Sequence, residues 1–376
     1  MEKASPGSLV LDPMAGSGTT LAVARALGLR ALGFDTDPLA VMMANAWSLD
    51  CDEHRLKAKA LDIVDRAADV ARNTSIREAY PRTADDETKS FLRYWFDGRS
   101  RKELMGLSTA IGRVRDSSVR ALLWCAFSRL IITKTSGASL AMDVSHSRPH
   151  KVYTRAPISP LDKFSDAVDR VSYVMKMNFS GASGRSIKIQ SGDARKLNVP
   201  DETADLVVTS PPYLNAIDYL RGHRLSLVWM GYTVSQLREI RAHNIGTEAA
   251  GGVIDRDLIK ICARMGATDR LPGRIRRMIF RYLEDMRSVM REAHRVLKVG
   301  GSAFFVVGDS SIRNTYVSNS RAIAELAVIA GFKVIDIRSR PIEERRRYLP
   351  ISSRVTECTL SRRMRHEVLI ELERCA

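Results

Sequence analysis

Long apolar runs are missing from this chain. Nothing in its 376 residues approaches the ~20 consecutive apolar residues that a membrane span requires, which excludes an integral helical membrane protein. The opening segment, Met1 to Gly7, has no apolar stretch of the signal-peptide kind, so a cytoplasmic chain is expected. Cysteine is sparse. Cys51, Cys125, Cys262, Cys358 and Cys375 are scattered, and no two have zinc-ligand spacing. That excludes a disulfide framework and a Cys-based metal site, and implies reduced thiols. Internal repeats and low-complexity tracts are also absent. Acidic charge is in deficit, with 43 Asp and Glu against 59 Lys and Arg, a formal net charge of +16. A polyanionic partner is the natural inference, because neutralising phosphates releases counterions.

At 45% hydrophobic residues the chain can build a substantial core, and its length suits one large domain with insertions or two domains. Residues 9–13 read as a buried strand, Thr19 to Leu27 as a helix stopped by Gly28, residues 29–35 as a second strand, and Leu39 to Trp47 as a helix. This strand–helix–strand unit requires a parallel, right-handed crossover. From 48 to 185 the periodicity is helical: Leu56, Ala60, Ile63 and Ala67 share one face, as do Val119, Leu122, Leu123, Ala126 and Leu130. Residues 143–160, with Pro149, Pro157 and Pro160, read as a loop. Strands resume at 186–190, 205–209, 303–307, 332–337 and 367–372, the last alternating in the manner of an edge strand. A helix through Leu283, Met286, Met290, Ala293 and Leu297 is expected to stop at Gly300-Gly301.

Four polar motifs fall at strand ends. The first strand runs into Asp12-Pro13-Met14-Ala15-Gly16-Ser17-Gly18-Thr19-Thr20. Gly16 and Gly18 let backbone approach a ligand where a Cβ would clash. Asp35 ends the second strand, where a carboxylate can accept ribose hydroxyls. Asp37 nearby suits a helix cap. Gly192-Asp193-Ala194 follows the third strand, and Ser210-Pro211-Pro212-Tyr213 the fourth. In α/β sheets ligands bind at these carboxyl ends. A glycine turn or a proline turn alone would be read as structural; four motifs on one edge argue for a site.

The string from Asp12 to Thr20, with Ser210-Pro211-Pro212-Tyr213, resembles the DNA amino-methyltransferases. The resemblance covers the sheet, about half the chain, but neither insertion. It implies an α/β class I methyltransferase fold, a Rossmann-like seven-stranded sheet with a large helical insertion and a second, smaller one. The implied cofactor is S-adenosylmethionine (SAM), held by Asp12, Pro13, Ala15, Gly16, Gly18, Thr19, Asp35, Asp193 and Ala194. Asp193 would receive the adenine amino group. No metal is implied. Ser210, Pro211, Pro212 and Tyr213 would be catalytic. The Ser210 hydroxyl and the Pro211 carbonyl would accept the protons of an exocyclic amine, and Tyr213 would stack on a flipped base. Ser in first place points to cytosine N4 in DNA. Adenine N6, an amino group in RNA, and a non-catalytic nucleic-acid-binding subunit are the alternatives.

The expected organisation is 1–47 for the first part of the cofactor domain, 48–185 for a helical insertion suited to target recognition, and 186–376 for the rest of the sheet, interrupted at 214–278. Only eight residues precede the first strand, where the resembled family usually carries a helix and loop over the methionine end of SAM; either the chain is shortened there, or a later segment such as Tyr153 to Phe164 replaces that helix, or a partner chain supplies it. Arg274, Arg276 and Arg277 in the basic stretch 260–281 are the expected nucleic-acid contacts, with Arg345-Arg346-Arg347 as a second candidate. His146 and His150 read as loop or phosphate contacts, and Trp95 and Trp124 as core.

Overall fold

The computed structural model describes residues 4–49, 51–133, 136–142, 149–179, 186–214, 219–246, 255–313, 315–342 and 366–375. Arg345-Arg346-Arg347, His146 and Cys358 lie outside them. In chain order the elements are β1 (Leu9–Asp12), α1 (Thr19–Ala26), β2 (Arg30–Asp35), α2 (Pro38–Ala46), α3 (Glu53–Asn73), α4 (Asp86–Trp95), α5 (Gly98–Gly112), α6 (Ser117–Ile131), β3 (Ala141–Met142), β4 (His150–Lys151) and α7 (Pro160–Phe179). Then come β5 (Ile187–Ser191), β6 (Ala204–Thr209), α8 (Leu220–Leu227), α9 (Val234–Ala242), α10 (Arg256–Arg264), α11 (Gly273–Val296), β7 (Leu297–Val307), β8 (Ser310–Ile312), β9 (Thr315–Val317), α12 (Asn319–Ile329), β10 (Phe332–Pro341) and β11 (His366–Arg374).

The chain divides into two compact units. The first combines residues 1–44, 182–217 and 241–376; the second combines 45–181 and 218–240. The segment 214–278 is therefore shared between them. The first unit holds a seven-stranded sheet in the order β10-β11-β7-β6-β1-β2-β5. β5, β2, β1, β6 and β7 are mutually parallel, and β11 is antiparallel to both its neighbours. This is the class I methyltransferase arrangement. Connections leave β1 in opposite directions, so the topological switch point lies between β1 and β6.

Alternation along each strand feeds two cores. Leu11 and Val207 point into one with Met286, Met290, Phe305 and Leu326; Val10 and Leu206 point into the other with Leu21, Ala24 and Ile187. Each large aliphatic side chain buried this way contributes about 1.5–3 kcal/mol.

Three expectations are corrected. β11 is not an edge strand; it sits between β10 and β7, and β10 forms the edge. The helix before β7 ends at Val296, not at Gly300-Gly301, because Leu297 already pairs with Ala204. The ladder shifts register before Leu206 meets Ser302, so the glycines lie in an irregularity within the strand. His150, expected in a loop, pairs with Met142 in a two-stranded ribbon.

The second unit is helical apart from that ribbon. Its helices start at Asp52, Asp85, Asp97 and Asp116, whose carboxylates accept from backbone N–H groups of the first turn of α3, α4, α5 and α6. The apolar faces expected on α3 and α6 are buried. Gly106 of α5 lets that helix approach α3 closely: a Cβ there would stand 2.3 Å from the Ala67 carbonyl oxygen. Trp95 is buried, and Trp124 meets Phe127 edge-on. Tyr153 to Phe164 belongs to this unit and leads into α7, which packs on α3 and α6.

Candidate active site

All four motifs stand at the carboxyl edge of the sheet. Gly16 and Gly18 have φ of +52° and +84°, a left-handed backbone that other residues adopt only with strain. A Cβ on Gly16 would touch nothing within 4 Å. Its requirement is therefore conformational, and the space above it is open. The loop is stitched to β2: Ala15 N–H donates to the Phe34 carbonyl at 2.9 Å, and Gly16 N–H to Asp35 Oδ2 at 2.8 Å. Gly33 is needed for packing, since a Cβ would come within 2.9 Å of Ile189 and Leu21 side chains. Pro13 and Ala15 are buried, while Thr19 is exposed at the first turn of α1.

Asp35 and Asp193 stand on neighbouring strands, joined by the Gly192 N–H donating to the Asp35 carbonyl at 3.0 Å. Asp35 Oδ1 accepts the Asp37 N–H at 2.9 Å, so each of its oxygens takes a backbone bond. Asp37 is buried and caps α2 through the Leu39 N–H. Asp193 is gripped by Arg195, which donates from Nε and Nη2 to the carboxylate, the shorter contact being 2.6 Å. Burial pushes the Asp193 carboxyl up, but the Arg195 bonds and charge outweigh it and hold the group below the usual carboxylate range. Ala194 is buried beside it. An open left-handed glycine loop and two carboxylates on neighbouring strands form a set that a nucleoside with an amino-acid tail fits. The cofactor is S-adenosylmethionine.

The Ser-Pro-Pro-Tyr turn leaves β6 next to β1. Ser210 is exposed, and its hydroxyl donates to the Val306 carbonyl at 3.2 Å. Pro211 is buried, and Pro212 and Tyr213 are half-buried. Burial, then the Glu367 charge, push the Tyr213 phenol above its ordinary pKa, while a hydrogen bond with the Ser210 side chain pulls it down. Glu367 is itself held by Arg340 at 2.7 Å. Past the turn, Ser310 Oγ donates to the Leu214 carbonyl at 2.7 Å.

Sequence reasoning missed the residue that ties the two halves together. Thr209 Oγ donates to Asp12 Oδ1 at 2.7 Å, a bond spanning 197 positions. Asp12 is 4% exposed; burial pushes its pKa up to about 6, against hydrogen bonds from Thr20, Thr209 and the Met14 N–H. A threonine inside an apolar strand carries no signal of this partner. Asp285, Arg340 and Glu367 were equally silent, because their partners are remote in sequence; Arg195, two residues from Asp193, was a local signal that went unread.

The basic stretch sorts into two groups. Arg264 pairs with Glu325 at 3.2 Å, and Arg281 with Asp285 at 3.4 Å. Arg274, Arg276 and Arg277 are exposed in the first turns of α11. Asp285, midway along α11, already reaches Arg195 just past β5, so the arginines eight or more residues earlier lie ~12 Å further along the helix, beyond the carboxyl edge. Among the described residues no group of three or more His, Cys, Asp or Glu is placed to hold a metal ion, and no helix is long and apolar enough to cross a membrane. Cys51, Cys125, Cys262 and Cys375 are free thiols.

Sheet order and strand-end motifs define a class I SAM-dependent methyltransferase. A DNA methylase family profile matches residues 2–46. The type II methyltransferase M.MvaI of Kocuria varians is 23% identical over 84% of this chain and 73% of its own length. M.MjaII of Methanocaldococcus jannaschii is 21% identical, over 58% of this chain and 56% of its own length. M.BsoBI of Geobacillus stearothermophilus is 22% identical, over 63% and 50%. The chain thus spans about half to three quarters of these curated relatives. Among solved structures, a SAM-dependent methyltransferase from Methanosarcina mazei aligns with a TM-score of 0.35 at 8% identity, over the whole of this chain and 95% of that one. Motif, profile and relatives agree in one respect: the chain is similar to DNA amino-methyltransferases.

Proposed function

We propose that the chain is a DNA methyltransferase that moves a methyl group from SAM to the exocyclic N4 of a flipped cytosine. The observation that carries this reading is the Asp12–Thr209 bond, which fixes the glycine loop and the Ser-Pro-Pro-Tyr turn at one point of the carboxyl edge.

SAM supplies an activated methyl on a sulfonium. The protein's residues supply geometry. An exocyclic amine is a poor nucleophile because its lone pair is delocalised into the ring. Ser210 Oγ and the Pro211 carbonyl accept its two protons and draw the nitrogen toward tetrahedral geometry. Prolines keep that turn stiff and offer no competing N–H. The Tyr213 ring supports the base face, and its bond with Ser210 orients the hydroxyl acceptor. Orientation supplies much of the rate, and the amine proton released leaves to solvent at exposed Ser210. Asp35 accepts the ribose hydroxyls, Asp193 the adenine amine, and Arg274, Arg276 and Arg277 meet phosphate. Ser rather than Asp at position 210 favours cytosine N4 over adenine N6.

The test is incubation of the purified chain with SAM and unmodified DNA, followed by mass spectrometry of the nucleosides. N4-methylcytosine is expected. N6-methyladenine would reassign the base, and methyl transfer only to RNA would reassign the polymer. No methylated nucleoside from a chain that binds SAM and DNA would leave a binding subunit. Calorimetric titration of SAM into the chain alone also tests whether a partner chain is needed. Asp35→Ala should weaken that affinity by ~1–3 kcal/mol, the range for losing charged hydrogen bonds.

A further inference from the structure

One guanidinium on the carboxyl edge serves two carboxylates. Arg195 donates through Nε and Nη2 to Asp193, through Nη1 to Asp285 Oδ1 at 2.7 Å, and through Nη2 to the His243 carbonyl at 2.6 Å. Its own backbone N–H adds a bond to Asp193 Oδ1 at 2.9 Å. The side chain is 17% exposed, and Asp285, which also accepts the Gly246 N–H at 2.8 Å, is 4% exposed. Asn244 accepts a bond from the Thr36 hydroxyl at 3.1 Å, next to Asp35. The segment from His243 to Gly246 is thereby fastened across the ends of β2 and β5.

An ionised carboxylate has about four acceptor sites. On Asp193, Oδ1 is filled by the Arg195 N–H and Nε, and Oδ2 takes Nη2 and shares Nε at 3.1 Å. What remains is about one acceptor direction on a carboxylate that can neither rotate nor donate. We propose that Arg195 is a positioning residue for cofactor recognition: its fork fixes Asp193 so that the carboxylate offers a single acceptor to the exocyclic amine of the cofactor's purine and rejects a purine bearing an oxo group there. The bond to Asp285 anchors the fork to α11, because a guanidinium tied on one side only would swing with the carboxylate it holds. This inference rests on the methyltransferase reading and deepens it.

The test is calorimetric titration of the full chain with S-adenosylhomocysteine and with S-inosylhomocysteine. The latter replaces the amine by an oxo group, which would face the carboxylate with another acceptor. Wild type should prefer the adenosyl form by about ten- to a hundredfold, as for one hydrogen bond to a charged group. Arg195→Gln should bring the ratio to within about threefold, mainly by weakening the adenosyl ligand. Arg195→Lys, which keeps charge but not the fork, should fall between, and it stands in if the glutamine variant does not fold. Without its counter-ion the half-buried carboxyl should also protonate more readily. Adenosyl affinity in Arg195→Gln should then fall between pH 7 and 5, while wild type stays flat. Asp193→Asn should lose the preference, and the double variant should be no worse than either single one. If the arginine variants weaken both ligands equally and keep the wild-type ratio, Arg195 only supports the fold and the proposal is overturned. If wild type binds neither ligand, the methyltransferase reading itself fails.

Discussion

Asp12 is where one carboxyl's surroundings bear on the stability of the whole fold. Its pKa of about 6, against 3.8 when free, means that the native state holds a proton the unfolded chain has released. Between those values stability falls as pH rises, because the folded protein binds more protons than the unfolded one. The contribution is fully present below 3.8, is lost through about 6, and amounts to on the order of 3 kcal/mol. Asp12→Asn keeps an acceptor for Thr209 and cannot ionise. The melting temperature of this variant relative to wild type should therefore climb from pH 4 to pH 6.5 and then level off. A flat difference would mean that Asp12 is solvated. In the proposed mechanism Ser210 and Tyr213 act on rate. Their variants should keep SAM affinity and lose turnover in single-turnover methylation. Ser210→Ala should slow transfer by about ten- to a thousandfold, for ~1.4–4 kcal/mol of transition-state stabilisation; Ser210→Asp keeps an acceptor and should fall less. Tyr213→Ala removes ~1–3 kcal/mol of base stacking, whereas Tyr213→Phe keeps the ring and should retain much of the activity. A Ser210→Ala rate equal to wild type would leave the turn purely structural.

At the scale of the element, α11 joins two tasks. Its second half buries Leu283, Met286, Met290 and Ala293 against the sheet, while its first turns carry exposed arginines past the carboxyl edge. Neutralising Arg274, Arg276 and Arg277 together should leave melting unchanged and make the slope of log DNA affinity against log salt less negative, by up to about three. An unchanged slope would show that α11 does not touch phosphate. Seven strands and their crossovers were legible in the sequence because period-two burial and glycine stops are local signals. The place of β11 was not. Alternation reports which faces of a strand are covered, whereas edge or centre depends on hydrogen bonds in the plane of the sheet, at right angles to the side chains. Leu297 misled for a related reason: it continues the apolar stripe of α11 and also begins β7, and only its pairing with Ala204 decides between them. The motifs at positions 12–20, 192–194 and 210–213 were legible as residue types with strict spacing. Thr209 and Asp285 were not, since each acquires meaning only from a partner that folding brings alongside; Arg195 was overlooked although Asp193 is two residues away.

For the whole molecule, the sheet unit is written in three stretches, 1–44, 182–217 and 241–376, around a helical unit that supplies most of the residues between. β1 and β2 meet their other sheet neighbours, β6 and β5, only after about 150 intervening residues. On the ribosome this becomes a matter of timing. At ~5–20 residues per second, β1 and β2 wait roughly 8–30 s as an orphaned pair before residues 187–209 are made. During that wait Val10 can already pack on α1, but Leu11 and Phe34, whose core partners come from residue 194 onward, have no layer to cover them. Ribosome-stalled chains ending just short of residue 186 should be cut readily by protease within 9–35. Chains long enough to expose 187–307 outside the exit tunnel should resist. Protection already present in the shorter chains would show that β1 and β2 find shelter elsewhere. The strands that carry the glycine loop are thus made first and completed late.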